Sequence, residues 1–394
     1  TEAQYCGSLR RMSETIGDID ITVASTDPGA VMDVVVNHGE VDEIVVNGET
    51  KTSFLTRTGL QVDVRVVEPS QFGAAILYFT GSKAHNIALR QRAIDRGWLL
   101  NEYGLMDGVE VVANTTEKDI YDALELPFIP PPMREATGEI KAAASEHGLP
   151  RLIERKHIRG DLHYHTDRSG DGRSSVEDMV EVAAAQGYDY LAITDHGEDL
   201  AINGSNREEM LEHRDRIRRI QKNYPDMMIM FGCELNIGAT GGLDYDDEFR
   251  RLFDYTVASV HSHFDLSVAE QTRRLITAIE DPTVNSIGHL TGRYIGRRPG
   301  IELDIELVLD ALVANDVALE INGALQRLDA ASDVVRRAVD AGVKLVINTD
   351  SHHTSELGRM EYGVLTAQRG WAPKELVVNS WTVKQFTKWA AARR

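Results

Sequence analysis

Residues 160–171 read GDLHYHTDRSGD. His163 lies two positions before His165, and Asp171 lies six positions after His165. Side chains of an extended strand alternate between its two faces, so both imidazoles point the same way if this segment is a strand. Two imidazoles aimed at one point beside a carboxylate are the start of a divalent-metal site. Surface His-x-His pairs are also common without a metal, so this stretch alone leaves both interpretations open.

From residue 158 onward, apolar strand patterns alternate with amphipathic helix patterns. Repeated strand–helix units predict a parallel sheet, and their number predicts a barrel. Polar residues follow strand after strand at the C-terminal end, the rim where barrels build active sites. In chain order these residues are His163, His165, His196, Glu234, His261, His263, His289, Glu320, Asn322, Asp350 and His352.

One histidine after a strand is more often a core or capping residue than a ligand. Seven strand ends that carry such residues together are not explained by packing. Burying so many titratable groups without a metal costs several kcal/mol of desolvation each. A donor set of His, Asp and Glu without cysteine favours Mn²⁺, Zn²⁺ or Fe²⁺ over a structural thiolate zinc.

Composition limits the class of protein. A chain of 394 residues predicts two or three domains. No apolar run approaches the roughly 20 residues of a membrane helix, so no membrane partner is expected. Two cysteines, Cys6 and Cys233, argue against a disulfide scaffold and fit the cytoplasm. The net charge of −20 argues at first against a nucleic-acid partner. Carboxylates that bind metals also make a chain acidic, so the net charge does not exclude nucleic acid as a partner.

A second concentration of chemistry lies in residues 1–67. Asp18 and Asp20 alternate along a predicted strand, and Asp63 lies in the alternating segment QVDVRVV. Three carboxylates from two adjacent strands would hold two Mg²⁺ ions for phosphoryl or nucleotidyl transfer. The simpler interpretation of an isolated Asp-x-Asp is a turn or strand-edge feature.

The segment from Gly7-Ser8 through Arg10-Arg11 to GDID at 17–20 resembles the palm signature of the family X (polymerase β-like) nucleotidyltransferases. YFTGSKAHN at 78–86 and LNEYGL at 100–105 resemble the thumb motifs of that family. The resemblance implies that Mg²⁺ or Mn²⁺ is held by Asp18, Asp20 and Asp63. It also implies a nucleotide site made of Gly7, Ser8, Arg11, Gly17, Tyr78, Phe79, Gly81 and Asn86.

Residues 158 to about 390 resemble the polymerase and histidinol phosphatase (PHP) family, whose fold is a distorted seven-stranded β/α barrel. Its signatures appear as His163-x-His165 with Asp171, TDH at 194–196, His261-Ser262, and Asp350-x-His352. The resemblance implies a trinuclear centre of Mn²⁺, with Zn²⁺ or Fe²⁺ as alternatives. Its nine ligands would be His163, His165, Asp171, His196, Glu234, His261, His289, Asp350 and His352. Among them, His163, His165, Glu234 and Asp350 are the predicted catalytic residues.

Together the segments resemble the bacterial family X DNA polymerases. The predicted architecture is a multidomain α/β chain with a palm (1–68), a small thumb (69–135), a linker (136–157) and a PHP barrel (158–394). PFIPPPMRE at 127–135 is expected to be extended, without regular structure. Because the chain starts almost at the palm, we expect the family's helix-hairpin-helix modules to precede it in the whole gene product.

The predicted activity of the barrel is a metal-dependent 3′→5′ exonuclease on DNA 3′ ends and gaps, acting in repair near the nucleoid. Metals activate water in such a reaction, so no Ser or Cys nucleophile is needed. Arg293, Arg297 and Arg298 either bind substrate phosphate or form a solvated loop. His263 and Asp195 are weaker candidates for supporting or substrate contacts.

The palm is expected to add deoxynucleotides from their triphosphates in the whole protein and to do so weakly in this chain alone. Two alternatives are a small-molecule phosphomonoesterase of the histidinol phosphatase kind and a non-catalytic DNA-binding module. The palm and thumb count against the first alternative, and the full ligand set counts against the second.

Overall fold

The computed structural model describes residues 1–393. The chain forms two compact units, residues 1–150 and a second unit that begins at Arg151, and the break falls inside the predicted linker. Across residues 1–393, no helix has both the length and the apolar character required to cross a bilayer.

The first unit begins with a five-stranded sheet in the order β1-β2-β5-β4-β3, called the palm sheet below. Its strands are β1 (Glu2–Tyr5), β2 (Asp18–Ala24), β3 (Val41–Asn47), β4 (Lys51–Thr56) and β5 (Gln61–Val67). Two helices lie among them, α1 (Gly7–Arg10) and α2 (Pro28–Val36). In β5 the alternate residues Val62, Val64 and Val66 are buried in one apolar cluster with Met32 of α2, as the period of a strand requires.

β2 and β5 are parallel neighbours, and their register sets Asp20 directly opposite Asp63. Asp18 lies opposite Gln61 in the same register. This confirms that the predicted carboxylates come from two adjacent strands.

The rest of the first unit is α/β. It contains α3 (Phe72–Thr80), α4 (Lys83–Ile94), β6 (Leu99–Asn101), β7 (Gly104–Asp107), β8 (Glu110–Ala113), α5 (Glu117–Ala123) and α6 (Glu139–Ala143). The three strands form one antiparallel sheet. α5 begins with a reciprocal capping box, in which Thr116 Oγ1 accepts from the Asp119 N–H and the Asp119 carboxylate accepts from the Thr116 N–H.

The prediction that residues 127–135 hold no regular structure was wrong. Pro131–Met133 form one turn of 3₁₀ helix, because the fixed φ of proline suits the first turn of a helix. Arg134 is fully buried, with its Nη1 2.6 Å from Glu117 Oε1 and its guanidinium 5.4 Å from the centre of the Tyr121 ring. This segment is therefore part of the packed interior of the first unit.

The second unit is a parallel barrel of seven strands ordered as in the sequence. They are β9 (Gly160–Tyr164), β10 (Tyr190–Ile193), β11 (Met228–Asn236), β12 (Tyr255–Ser259), β13 (Ser286–Ile287), β14 (Ala318–Asn322) and β15 (Leu345–Asn348). β9 meets the chain just after β15 through a parallel bridge between Tyr164 and Ser351, and the His165 N–H donates to Ser351 O at 2.9 Å. The seven-stranded β/α barrel is confirmed.

Helices follow the strands around this barrel. They are α7 (Val176–Ala185), α8 (Arg207–Gln221), α9 (Asp247–Arg250), α10 (Val268–Glu280), α11 (Ile305–Asn315), α12 (Ser332–Ala341), α13 (Met360–Arg369) and α14 (Val383–Ala391). Short 3₁₀ helices lie at Arg155–His157, Thr354–Arg359, Lys374–Leu376 and Val378–Ser380, and one more, Pro69–Gln71, lies in the first unit.

Alternate strand residues of the barrel pack in two different clusters. One cluster lies between strands and helices, and it includes Leu191, Phe231, Leu319 and Ile347. The other joins Leu162, Tyr190, Met230, Tyr255, Ala318 and Val346 to Phe386 and Trp389 of α14. Farther along the strands, the positions in phase with this second set carry polar residues such as Glu234 and Glu320. The barrel is therefore apolar toward α14 and polar toward the C-terminal rim.

Candidate metal centre

The residues predicted to bind metal in the barrel converge at its C-terminal rim. Eight of the nine fall into three groups whose donor atoms lie within 4.8 Å of one another. The groups are His163, His165 and Asp350; His165, Asp171, His196 and His352; and His196, Glu234 and His261. The ninth residue, His289, places its Nε2 2.8 Å from Glu234 Oε1.

In the first group, two imidazole nitrogens face each other at short distance. His163 Nε2 and His165 Nε2 are 3.2 Å apart, and Asp350 Oδ1 lies 3.5 Å and 3.3 Å from them. Both rings are fully buried. Two nitrogen lone pairs and a carboxylate at these distances repel one another unless a cation lies among them, so the group fits a divalent metal.

Glu234 is the centre of the site. Its Oε2 lies 3.0 Å from His196 Nδ1, and its Oε1 lies 3.2 Å from His261 Nε2. The side chain is 1% exposed, so water contributes almost nothing to its solvation. A carboxylate with two oxygens aimed at different imidazoles is suited to bridge two cations.

Asp171 closes the site from the loop that follows β9. Its Oδ2 lies 3.6 Å from His196 Nε2 and 3.5 Å from His352 Nε2. The Asp171 side chain is 39% exposed and that of His352 is 26% exposed, so this part of the site is the most open to solvent.

Hydrogen bonds to Nδ1 orient three of the imidazoles. His163 Nδ1 is 2.7 Å from Glu320 Oε1, His261 Nδ1 is 2.7 Å from Asn236 Oδ1, and His352 Nδ1 is 2.9 Å from Asp350 O. Each oxygen can only accept, so each Nδ1 carries a proton, and Nε2 is the nitrogen that faces the site. A metal that binds at Nε2 requires this arrangement.

The sequence analysis placed Glu320 at the rim without a specific role, and it did not name Asn236. Glu320 also accepts from Asn348 Nδ2 at 2.8 Å and from the His289 N–H at 2.6 Å, so its position is fully determined. Asn236 Nδ2 lies 3.1 Å from the buried Asp244 carboxylate. Their positions in the sequence could have indicated a supporting role, because Glu320 and Asn236 each lie at or near the rim end of a barrel strand.

The charges of the site also call for cations. Burial opposes ionisation of Glu234, but the imidazoles of His261, His163 and His196 outweigh it and hold the pKa of Glu234 well below its usual value. Burial likewise opposes protonation of His196, yet Glu234 and Asp171 raise the pKa of His196 to about 10. Anions that draw protons onto buried imidazoles would bind divalent cations in their place.

Two of the nine predicted ligands have an uncommon backbone conformation. His289 has φ of 21° and Asp350 has φ of 52°. Residues other than glycine rarely occupy this region, and such conformations cluster at functional sites.

The weaker candidates lie around this centre. Asp195 is fully buried and accepts from the Thr166 N–H at 2.7 Å and Ser169 Oγ at 2.7 Å, so it holds the loop that leads to Asp171. His263 is exposed.

The three arginines of the loop at 291–300 differ in placement. Arg293 Nε donates to Arg327 O at 2.8 Å, and Arg298 Nη2 donates to Gly292 O at 2.6 Å. Arg297 is exposed. Two of these guanidinium groups therefore support the backbone of the rim.

The palm aspartates are arranged differently. Asp18 is exposed, and Asp63 Oδ2 lies 2.8 Å from Lys51 Nζ and 4.0 Å from Arg65 Nη2. Burial raises the pKa of Asp20, and the charges of Asp18 and Asp63 add to that rise. Within residues 1–393, the groups of donor atoms close enough to share a metal do not include these three aspartates.

Of the residues predicted to bind nucleotide, Gly7 lies directly against a palm aspartate. A Cβ at Gly7, whose φ is 60°, would lie 2.4 Å from Asp20 Oδ2, so glycine is required there. Arg11 Nη1 donates to Thr80 O at 2.6 Å, and Asn86 Nδ2 donates to Tyr78 O at 2.7 Å.

The other predicted nucleotide residues are placed as follows. Ser8 lies in α1, and Gly17 is exposed just before β2. Phe79 packs edge-on against Tyr78 with ring centres 5.1 Å apart, and Gly81 ends α3 with φ of 71°.

Two known families match this chain. The family described as DNA polymerase beta thumb matches residues 75–135, and the family described as PHP domain matches residues 161–324. The Bacillus subtilis protein named DNA polymerase/3′-5′ exonuclease PolX is 36% identical over 383 residues, which are 96% of this chain and 66% of that protein. The chain therefore spans about two thirds of the length of this relative.

Smaller relatives match a shorter part of the chain. A probable phosphatase of Acetivibrio thermocellus is 30% identical over 242 residues, which are 59% of this chain and 95% of that protein. A probable phosphatase of Shewanella sediminis is 30% identical over 228 residues, or 56% of this chain and 88% of that protein.

Proposed function

Because the chain belongs to the family X DNA polymerases that carry a PHP domain, we propose that its barrel is a 3′→5′ exonuclease that hydrolyses DNA phosphodiesters. The observation that carries the proposal is the convergence of eight predicted ligands into three adjoining groups at the barrel rim. A phosphodiester is an anion, and a site that gathers several divalent cations suits it.

The three groups of predicted ligands suggest a role for each residue in hydrolysis. Divalent metals, with Mn²⁺ favoured over Zn²⁺ and Fe²⁺, would activate water and stabilise negative charge on the phosphate when bound. His163, His165 and Asp350 would hold one metal, and Glu234 would connect the neighbouring positions. Glu320 holds the His163 ring in the tautomer that binds.

A protein nucleophile is not needed. Cys233 adjoins Glu234, but it is fully buried in the apolar cluster, and burial raises the pKa of its thiol well above the usual value. A neutral, enclosed thiol cannot reach a phosphate.

For the whole protein we propose DNA-directed nucleotidyl transfer at the palm sheet, with Mg²⁺ or Mn²⁺ held by Asp18, Asp20 and Asp63. The pairing of β2 with β5 supports this role because it sets Asp20 opposite Asp63. The proposed substrates are deoxynucleoside triphosphates and DNA with 3′ ends or gaps. Such a protein would serve DNA repair at the nucleoid, in the cytoplasm.

Phosphomonoester hydrolysis is the second candidate. It is favoured by the probable phosphatases of Acetivibrio thermocellus and Shewanella sediminis, which match the barrel over most of their own length. The proposed palm and thumb favour DNA, because a small phosphomonoester needs neither.

The test is hydrolysis of a 5′-labelled single-stranded oligonucleotide with Mn²⁺, run beside a phosphomonoester. The variants are His163→Ala, which removes a fully buried predicted ligand, and His147→Ala, which removes an exposed imidazole as a matched control. A ladder of products shortened one nucleotide at a time, lost only in His163→Ala, is the expected result. Cleavage of the phosphomonoester alone would establish the second candidate instead.

A further inference from the structure

One arginine of the rim has an unmatched donor. Arg327 follows β14 and is 8% exposed, and its Nη1 is buried with no hydrogen-bond partner among residues 1–393. Leaving a buried charged donor unpaired is costly, so such a group usually meets a ligand or an ordered water.

Arg327 borders the first metal group. Its Nε lies 3.3 Å from Asp350 Oδ2, while Asp350 Oδ1 faces His163 and His165. The guanidinium therefore lies beside the place where a phosphate would meet the metals.

Neighbouring residues fix the conformation of Arg327. Its guanidinium carbon is 4.5 Å from the centre of the Tyr294 ring, a cation–π distance. Arg293 donates through Nε to Arg327 O at 2.8 Å and through Nη2 to Leu328 O. The Arg327 N–H itself donates to Ala324 O at 2.8 Å. A side chain held in this way loses little freedom when it binds an anion.

We propose that Arg327 binds a nonbridging oxygen of the scissile phosphate through its free Nη1. This inference rests on the proposed hydrolase function, and it places phosphate binding on the loop after β14 rather than on the arginines of the loop at 291–300. The role suits arginine, because its planar guanidinium can donate to phosphate while Nε keeps its contact with Asp350. The rival explanation is that Arg327 only neutralises Asp350.

The test measures anion binding separately from turnover. Inorganic phosphate is titrated by calorimetry into the Mn²⁺-loaded full chain, its Arg327→Met and Arg327→Lys variants, and Arg337→Met as a matched control. Arg337 is an exposed arginine of α12 that is paired with Glu306. Metal content by mass spectrometry and melting temperature are recorded for each protein.

We expect phosphate affinity to fall about 10- to 100-fold in Arg327→Met, the range of a lost charge-assisted hydrogen bond. Arg327→Lys should retain part of the affinity, and Arg337→Met should match the parent chain. Unchanged phosphate affinity in Arg327→Met at equal Mn²⁺ content would overturn the proposal. So would loss of bound Mn²⁺ in both Arg327 variants, because Arg327 would then serve the ligand set.

Oligonucleotide hydrolysis separates this inference from the proposed function. If the parent chain binds phosphate through Arg327 yet degrades no DNA, the exonuclease proposal fails and the phosphate site stands. If the parent chain degrades DNA and Arg327→Met leaves both KM and kcat unchanged, the Arg327 proposal alone fails.

Discussion

In the barrel, Glu234 and Asp350 are almost completely enclosed and lie within 3.5 Å of imidazole nitrogens, whereas in the palm sheet Asp18 is exposed and Asp63 is paired with Lys51. Both regions carry acidic residues at strand positions predicted to bind metal. In the barrel the surrounding groups are imidazoles predicted to bind metal, and in the palm sheet they include a lysine and an arginine.

The difference follows from sheet geometry. A closed barrel brings the C-terminal ends of seven strands to one ring, so donors from every strand surround a common centre. In the open palm sheet, only β2 and β5 supply the carboxylates. The donors of the barrel site are therefore brought together by the fold, whereas the palm sheet brings together only the carboxylates of two strands.

A buried His–Glu pair in the first unit shows that burial is not enough to make a metal site. His85 Nδ1 is 2.6 Å from Glu139 Oε1, and His85 Nε2 is 2.9 Å from the Tyr121 hydroxyl. Both ring nitrogens are used by hydrogen bonds, so no lone pair is left for a cation. In the barrel, the Nε2 atoms of His163 and His165 face each other.

The largest expected effect separates the two regions directly. His163→Ala should lower exonuclease turnover about 1,000-fold, because lost metal assistance of several kcal/mol costs tenfold per 1.36 kcal/mol. Asp20→Ala should leave this turnover unchanged and abolish primer extension by the whole protein. Equal loss of exonuclease turnover in both variants would contradict two independent sites.

A smaller effect is expected from the residue that orients His163. Glu320→Gln should weaken Mn²⁺ binding about 10- to 100-fold, because an amide nitrogen would face the donors that now point at Glu320. Mn²⁺ affinity is measured by calorimetry on the full chain. Glu306→Gln, at an exposed glutamate of α11, is the matched control and should bind Mn²⁺ normally. Normal affinity in Glu320→Gln would show that tautomer control at His163 is unimportant.

The His85–Glu139 pair predicts sensitivity to acid. Burial lowers the pKa of His85, so below about pH 6.5 the unfolded imidazole takes up a proton that the folded one refuses, and stability falls. Burial opposes ionisation of Glu139, but its hydrogen bond with His85 lowers the pKa of Glu139, so a further loss follows near and below pH 4.5. From pH 7 to pH 5 the melting temperature of the parent chain should therefore fall by a few degrees relative to that of a His85→Gln variant.

Two single substitutions test this pH effect, one at His85 and one at an exposed histidine that serves as the control. His85→Gln should flatten the change in melting temperature between pH 7 and pH 5, and His147→Gln, at an exposed site, should leave it as in the parent chain. If the melting temperature of His85→Gln still changes with pH as in the parent chain, the acid sensitivity belongs to other groups.

The smallest effect concerns the lysine in the palm sheet. Burial tends to raise the pKa of Asp63, but the hydrogen bond from Lys51 outweighs it and lowers that pKa. Lys51→Met should raise the Asp63 pKa and tighten Mn²⁺ binding at the palm by up to about fivefold, since a partly exposed ion pair is worth at most about 1 kcal/mol.

This measurement uses the full chain with His163→Ala in the background, and bound Mn²⁺ is counted by electron paramagnetic resonance. Lys118→Met removes an exposed lysine paired with Asp122 and serves as the control. Weaker Mn²⁺ binding in Lys51→Met would show that Lys51 supports the palm site.

The amino-acid sequence by itself determined the barrel and the location of its site. Strand periodicity and the His-x-His and Asp-x-His spacings are local, so they identify which side chains reach the rim. The same alternation predicts that Asp18 and Asp20 lie on one face of their strand, and the fold then sets Asp20 opposite Asp63 on the neighbouring strand.

Only the tertiary structure decided which groups support those side chains. Glu320 lies 157 positions from His163, Arg327 lies beside Asp350, and Arg134 returns to Glu117 inside the first unit. Hydrogen bonds and ion pairs between distant residues depend on how the strands and loops are brought together in space. The local spacing of residues in the sequence does not specify that arrangement. The supporting residues could therefore be identified only in the folded structure.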